Sequence, residues 1–471
     1  MGGQAFPVMS DASEEIFMIT TVNPATGETL ADHEELDGAG IEERLARAAS
    51  GWRGWRETPL EERAGLLLRL AGAYEAHKER LARQCTLEMG KTLKSAIAEV
   101  EKCAAAFRHY ADNGPAMLEP LRWDLAGGGV AEGRWLAQGP VLAVMPWNFP
   151  YWQVARFLAP TIMAGNVGLL KHASSVQGSA RLIEEMMGEA GAPPGLFQNL
   201  PIKSGAVNGV IADDRVVAVT VTGSEGAGQA VAEQAGKCLK KVVLELGGSD
   251  PFIVMPSADL DEAVKQAVTA RIQNTGQSCI CGKRMIVHAD IYDAFLDRFT
   301  VAMGEVTAGD PFDEATDMGP MSSFEQRDTV LGQLAMAKAE GADLTGGAAL
   351  PGEGAYMGAG VLTGVDPDGP MAREEIFGPV AMVFRAADID EAIRIANATP
   401  FGLGSSVWTN DEGEKERFVR DIEAGMTAVN RFLASAPEAP FGGIKRSGHG
   451  RELARFGLHE FMNLKTVLLN G

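Results

Sequence analysis

Three features of the sequence predict an α/β fold. Short β-branched or apolar runs recur at Val141–Met145, Val167–Lys171, Val216–Thr222 and Val242–Leu246. Helical or glycine-punctuated segments separate them, the pattern of a parallel sheet covered by helices on both faces. At 471 residues and roughly 150 residues per domain, the chain is long enough for two large units or about three smaller ones.

In chain order, residues 41–112 are rich in Ala, Leu, Glu and Arg and read as helical scaffold. Within them Thr58-Pro59-Leu60-Glu61 offers an N-cap, a proline at the first helical position and a returning glutamate. Ala64, Leu67, Leu68, Ala71 and Tyr74 follow at helical spacing and predict one apolar face. The strand runs begin near residue 138. A second series opens at Pro251–Val254, passes a helix start at Asp259-x-x-Glu262 and reaches the glycine-rich loop Gly346–Gly360. Two α/β units are the economical reading, with Asn463–Leu469 as a terminal strand.

Charge and cysteine content narrow the function. Forty-two Lys+Arg against 63 Asp+Glu leave a formal charge of −21, which repels phosphate polymers and argues against nucleic acid as a partner. No run approaches the roughly 18 apolar residues of a membrane span. The opening MGGQAFPVMSDASEEIFMITTVNP lacks the basic start and apolar stretch of a secretory signal. Cys85, Cys103, Cys238, Cys279 and Cys281 are too sparse for a disulfide framework, so a reducing cytoplasm is expected.

Four places carry chemistry-bearing residues. Asn274-Thr275-Gly276-Gln277-Ser278-Cys279 puts a thiol after a polar turn, where it either acts as a nucleophile or packs as a small apolar group. Cys281 adds a C-x-C, which lacks the further ligands of a structural zinc site, so no metal is expected. Glu245-Leu246-Gly247-Gly248 ends a strand with a carboxylate among apolar neighbours, suited to a raised pKa and general-base work. Met145-Pro146-Trp147-Asn148-Phe149-Pro150 holds an amide between two prolines, a candidate oxyanion donor. Thr222-Gly223-Ser224-Glu225-Gly226-Ala227-Gly228 joins a strand to a helix whose N-terminus suits a pyrophosphate, although its spacing is not G-x-G-x-x-G.

The order of Pro146–Pro150, Lys171, Thr222-Gly223-Ser224, Glu245–Gly248, Gly276–Cys279, Glu374-Glu375-Ile376-Phe377-Gly378-Pro379 and Pro440-Phe441-Gly442-Gly443 resembles the NAD(P)-dependent aldehyde dehydrogenase superfamily, from about residue 20 to the C-terminus. The resemblance implies that Cys279 is the nucleophile, Glu245 the base that activates the hydrolytic water, and Asn148 an oxyanion donor. It implies NAD or NADP as cofactor, contacted by Pro146, Trp147, Lys171, Ser174, Gly223, Ser224, Gly228, Leu246, Glu375 and Phe377. It further implies an α/β fold in three parts: a Rossmann-like cofactor domain at 1–115 and 137–247, a catalytic domain at 248–456, and a small β oligomerisation extension at 116–136 and 457–471. In that arrangement residues near 116–136 join the terminal strand of a partner subunit, giving a homodimer or homotetramer.

Within the superfamily the chain looks most like the shorter succinate-semialdehyde dehydrogenases, through Trp152–Arg156, Leu170–Ala173 and Phe456–Phe461. By that likeness Arg156 and Ser435 contact the substrate carboxylate. Gln273 departs from the pattern, because longer members carry a second arginine there. Ser174 stands where many NAD-specific relatives have a glutamate, so NADP is expected to be accepted. Cys279 and Cys281 resemble a pair that acts as a reversible redox control in some of these enzymes, provided the loop bends to bring their Cα atoms within about 7 Å. Other readings are oxidation of a different short or aromatic aldehyde, a CoA-acylating relative, which usually lacks the base, and a non-catalytic relative, which should lack the thiol or the base.

Overall fold

The computed structural model of the protein describes residues 17–470, so most of the segment read for a secretory signal lies outside the described residues. The helical scaffold consists of Gly38–Trp55, Leu60–Ala76, Lys78–Met89 and Leu93–Met117. Two local expectations are corrected. Thr58 is not the cap: its hydroxyl donates to the Gly54 carbonyl at 3.4 Å, finishing the preceding helix, and Pro59 itself takes the N-cap position. Leu68 leaves the apolar face and is exposed, while Leu66, Leu67, Leu70, Ala71 and Tyr74 form the buried stripe. At about 100° per residue the buried stripe centres between Leu67 and Leu70, and Leu68 lies about 130° round the helix from that centre.

Four predicted strands lie in one six-stranded sheet. Its order is Gly448–His449, Lys241–Glu245, Ala218–Thr222, Pro140–Met145, Val167–His172 and Phe197–Asn199. Every neighbouring pair is parallel except the first. The run expected to start at Val216 begins pairing at Ala218, because the Val216 N–H first closes a turn onto Asp213. From the Pro140–Met145 strand the chain winds outward on one side and then returns to build the other. Ligand crevices open beyond the carboxyl ends of strands at such a reversal. Pro146-Trp147 and Gly223-Ser224 follow the two strands that flank it.

A seven-stranded sheet runs Asp343–Gly346, Gly360–Thr363, Val380–Ala386, Arg284–His288, Pro251–Val254, Ser406–Trp408 and Ala428–Val429. It is parallel apart from its first pair. The Leu246–Asp250 segment passes from the end of the Glu245 strand in one sheet to the Pro251 strand in the other. The Cys279 segment feeds Arg284–His288, and the Glu375-Phe377 segment feeds Val380–Ala386. Three chemistry-bearing segments therefore converge between the two sheets.

A third sheet gathers the terminal strand and the segment expected to meet it. Met462–Leu469 pairs antiparallel with Val130–Ala137 of its own chain along its full length, and Leu121–Asp124 completes the sheet. Trp135 fixes this return by stacking on His459 at 3.6 Å and 9°, while His459 Nε2 donates to the Met117 carbonyl at 2.8 Å. Among the described residues, no helix is long and apolar enough to cross a membrane.

Candidate active site

The turn before Cys279 is built from unusual backbone. The helix Leu260–Ile272, capped by Asp259 accepting from the Glu262 N–H at 3.1 Å, gives way to Asn274, Thr275 and Gly276 at φ 56°, 57° and 72°. Two successive non-glycine residues in this region cost on the order of 1–3 kcal/mol each, so neighbouring contacts must hold them. Buried Arg271 does so, its Nη2 donating to the Gly276 carbonyl at 2.7 Å and the Gly378 carbonyl at 2.6 Å. Thr275 donates to the Gly319 carbonyl at 3.2 Å. Gly276 has no room for a side chain, because a Cβ would strike the Gly378 backbone.

The result is a half-buried Cys279 lining a cavity of about 260 Å³. Asn148, Glu245, Pro146, Trp147, Glu375 and Phe377 line it too, as do Gly223, Ser224 and Leu246. Asn148 is fixed on both sides: its amide donates to the Gln277 carbonyl at 3.0 Å, and its oxygen accepts from Gln153 Nε2 at 2.9 Å. Below it, Glu99 accepts from the N–H groups of Tyr151 and Trp152 at 2.8 and 2.9 Å, holding the start of the helix Trp152–Met163. His172 braces the same loop. Its Nδ1 accepts from Ala173 N–H at 3.0 Å and its Nε2 donates to the Pro150 carbonyl at 2.9 Å, while burial pulls its pKa to about 4 and keeps it neutral.

Glu245 is buried, and neither carboxylate oxygen has a hydrogen-bond partner among the described residues. Burial pushes its pKa well up, reinforced by Glu452 and opposed by Arg156 and Arg451. A carboxyl so placed holds a proton more tightly than an exposed one, as a general base near neutral pH needs. The Cys279 thiol is pushed up to about 12 by burial, with Arg156 and Lys283 drawing it the other way. The Cys279 N–H donates to no backbone oxygen among the described residues, leaving it free for an oxyanion beside the Asn148 amide.

Lys283 ties this centre to Glu375. Fully buried, its ammonium donates to the carbonyls of Ser278 and Cys279, both at 2.8 Å, and lies 3.0 Å from Glu375 Oε1. The Gly248 N–H also donates to Glu375 Oε1, at 3.1 Å. Sequence reasoning missed Lys283, Arg271 and, in the cavity wall, Gln326; Thr222 and Gln153 lay in motifs it singled out without a role of their own. The Lys283-Arg284 pair, one glycine beyond Cys281, was the available signal, since two cations at the start of a buried strand must find acceptors.

Of the residues expected to hold a dinucleotide, Pro146, Trp147, Gly223, Ser224, Leu246, Glu375 and Phe377 line the cavity or the cleft beside it, while Lys171, Ser174 and Gly228 line neither. Ser224, Gly247 and Glu375 line both the small cavity and a wider cleft of about 750 Å³. Ser224 caps the helix Glu225–Lys237 by accepting from Ala227 N–H at 3.3 Å, which points that N-terminus at the cleft. Gly228 lets the helix approach, because a Cβ there would meet the Leu246 side chain at 2.6 Å. Trp147 and Phe377 face each other edge to face at 5.8 Å. Lys171 is nearly buried and makes no side-chain hydrogen bond among the described residues, and burial lowers its pKa. Ser174 is exposed at the start of a short 3-10 turn. A free ammonium, a helix N-terminus and an aromatic wall fit a nicotinamide dinucleotide.

Arg156, Ser435 and Cys281 stand outside the cavity wall. Arg156 is 3% exposed, pairs through Nε with Glu452, donates through Nη2 to Thr222 Oγ1 at 3.2 Å and lies over the Phe441 ring at 4.4 Å. Ser435 accepts from both Lys102 Nζ and Trp152 Nε1. Cys281 turns into the core, its thiol 3.5 Å from the Gln273 carbonyl, whereas Cys279 faces the cavity.

Comparison with known proteins places this geometry. The model of the aldehyde dehydrogenase family matches residues 10–467. Succinate-semialdehyde dehydrogenase [NADP(+)] 1 of Mycobacterium ulcerans is 53% identical, the alignment covering 95% of this chain and 99% of that protein. The succinate-semialdehyde dehydrogenase [NADP(+)] of Mycolicibacterium paratuberculosis is also 53% identical, over 95% of this chain and 96% of the relative. Among solved structures, succinic semialdehyde dehydrogenase from Streptococcus pyogenes in complex with NADP+ superposes with a TM-score of 0.94 at 38% identity, covering 96% of this chain and 100% of that one.

Proposed function

The chain belongs to the aldehyde dehydrogenase family, and on that premise we propose that it oxidises succinate semialdehyde to succinate with NADP or NAD, using Cys279, Glu245 and Asn148. The observation that carries this reading is the meeting of that thiol, carboxylate and amide on one cavity wall. Cys279 releases its proton to solvent and attacks the aldehyde carbon, forming a C–S bond. The former carbonyl oxygen becomes an oxyanion held by the Asn148 amide and the Cys279 N–H, a donor pair of a kind worth about 2.7–4 kcal/mol per donor in the transition state. The bound nicotinamide supplies a hydride acceptor, with Lys171 toward the adenosine ribose, Glu375 toward the nicotinamide ribose and Phe377 beside the ring.

Loss of the hydride leaves a thioester on Cys279. Glu245 then takes a proton from water as that water attacks the acyl carbon; the C–S bond breaks and Cys279 recovers a proton. Glu245 also separates this reading from acyl transfer to CoA, which has no use for a water-activating base. The names of the curated relatives, the Arg156 position and the Ser435 hydroxyl support a substrate with a distal carboxylate. Ser174 and the NADP(+) of the relatives' names support acceptance of NADP.

Trp123 and Leu468 are exposed on the three-stranded sheet, and a second copy of the chain covering that sheet accounts for them. The five free cysteines fit a reducing cytoplasm. The test is the absorbance of reduced cofactor with succinate semialdehyde, with and without CoA. Turnover that needs CoA, or none with this aldehyde, would overturn the reading.

A further inference from the structure

The helix Leu93–Met117 brings a cation to Ser435 and Trp152, within electrostatic reach of Cys279. Lys102 Nζ donates to Ser435 Oγ at 2.8 Å and lies 4.2 Å from the centre of the Trp152 ring. Trp152 Nε1 donates to the same oxygen at 3.1 Å. A hydroxyl that accepts twice has spent both lone pairs, so its own hydrogen points away from both donors toward any further acceptor. Among the described residues Lys102 makes no second hydrogen bond, and its remaining N–H groups are free to donate.

The neighbourhood is built for an anion. Trp152 and Arg156 stand four residues apart on the helix Trp152–Met163, on one face. Arg156 is turned to Glu452 and Thr222 through Nε and Nη2, and its Nη1 makes no hydrogen bond among the described residues. Burial pulls the Lys102 pKa down to about 8, and the like charge of Arg156 adds to that pull; Cys103, Glu99 and Cys279 draw it upward. Lys102, Arg156 and Cys279 therefore lie within electrostatic reach of one another. Glu452 already offsets Arg156, but Lys102 pairs with no carboxylate among the described residues, so an anion bound beside it would meet a charge not yet spent.

We propose that Lys102 is a specificity-determining residue: with Ser435 and the free edge of Arg156 it holds the distal carboxylate of the substrate, supplying the second cation that Gln273 does not. The proposal rests on the semialdehyde reading above. It assigns Lys102 direct contact with the substrate and no part in the chemistry at Cys279.

The experiment compares kcat/KM for succinate semialdehyde and for butanal, a neutral aldehyde of the same carbon count, in the full-length enzyme with NADP. In wild type the acid should be preferred. Lys102→Met should lower the ratio of the two by at least about tenfold, and Lys102→Arg, which keeps a cation, should restore much of it. Succinate as an inhibitor of butanal oxidation supplies a binding readout, and its inhibition constant should rise at least about tenfold in Lys102→Met. A wild type without preference for the acid would overturn the substrate reading, and the anchor with it. A preference that survives Lys102→Met, or equal losses for both aldehydes from a merely structural lysine, would overturn the anchor alone.

Discussion

Lys283 and Glu375 meet as a buried cation and a half-buried carboxylate 3.0 Å apart, and the same ammonium holds the carbonyl of Cys279. The residue placed toward the nicotinamide ribose and the backbone of the nucleophile thus share one partner. Lys283→Met would strand a carboxylate and two carbonyls. Removing one member of a buried pair costs about 3–5 kcal/mol, so denaturant unfolding should show a loss of that size. KM for the cofactor should rise together with a fall in kcat; steady-state kinetics at varied NADP would show an unchanged KM if the lysine serves stability only.

Cys279→Ala should abolish dehydrogenase turnover. Glu245→Gln should still release one equivalent of reduced cofactor per site and then stall at the thioester, which stopped-flow absorbance resolves as a burst without a steady phase. Full turnover in either variant would remove the assigned roles.

The pH dependence of thiol reactivity follows from the raised Cys279 pKa. Burial favours the neutral thiol, so the thiolate fraction is small at pH 7 and grows about tenfold per unit as pH rises toward about 12. Alkylation of the cofactor-free enzyme by iodoacetamide should accelerate from pH 7 to pH 9 without levelling off. Arg156→Leu removes a charge that favours the thiolate and should slow alkylation at every pH in that range. A plateau below pH 8 would show a thiolate already formed.

Cofactor choice should respond to one position. Ser174 is exposed and neutral, so Ser174→Glu should add repulsion toward a 2′-phosphate and raise KM for NADP by tenfold or more relative to NAD. For wild type, a kcat/KM ratio of NAD over NADP above about a thousand, near 4 kcal/mol, would contradict acceptance of NADP.

A bridge between Cys279 and Cys281 requires the Cys281 thiol to leave the Gln273 carbonyl and turn outward. Mild peroxide should inactivate the enzyme and dithiothreitol restore it, while in Cys281→Ala the Cys279 sulfur, with no neighbouring thiol to trap it, should pass on to sulfinic acid and recover incompletely. Equal recovery in both proteins, or mass spectra without a 279–281 linkage, would remove the switch.

Much of this was legible in the sequence where the deciding forces are local. Pro251–Val254 reads as a strand because an apolar run is bounded by turn residues, and Asp259 reads as a cap because its acceptor is three residues from its donor. Glu245 declared itself through its apolar neighbours at a strand end. Lys283 and Arg271 did not, since their acceptors include Glu375 and Gly378, which only the folded chain brings near. Lys102 looked like one more charge on a scaffold helix, because its meaning depends on Ser435 and Trp152 from distant segments. The terminal strand was visible as a strand, but which edge it would join depends on how the preceding helix turns the chain back toward Trp135.

The contact of Gly276 with the Gly378 backbone has a consequence for protein engineering. The loop that presents the nucleophile and the loop that carries Phe377 touch without an intervening side chain, so neither can be redesigned as an independent module. A library that enlarges or shifts the aromatic wall to admit a synthetic hydride acceptor will drag the sulfur off its line of attack. Such a library should therefore randomise both loops together, and its productive variants should show paired changes across this seam.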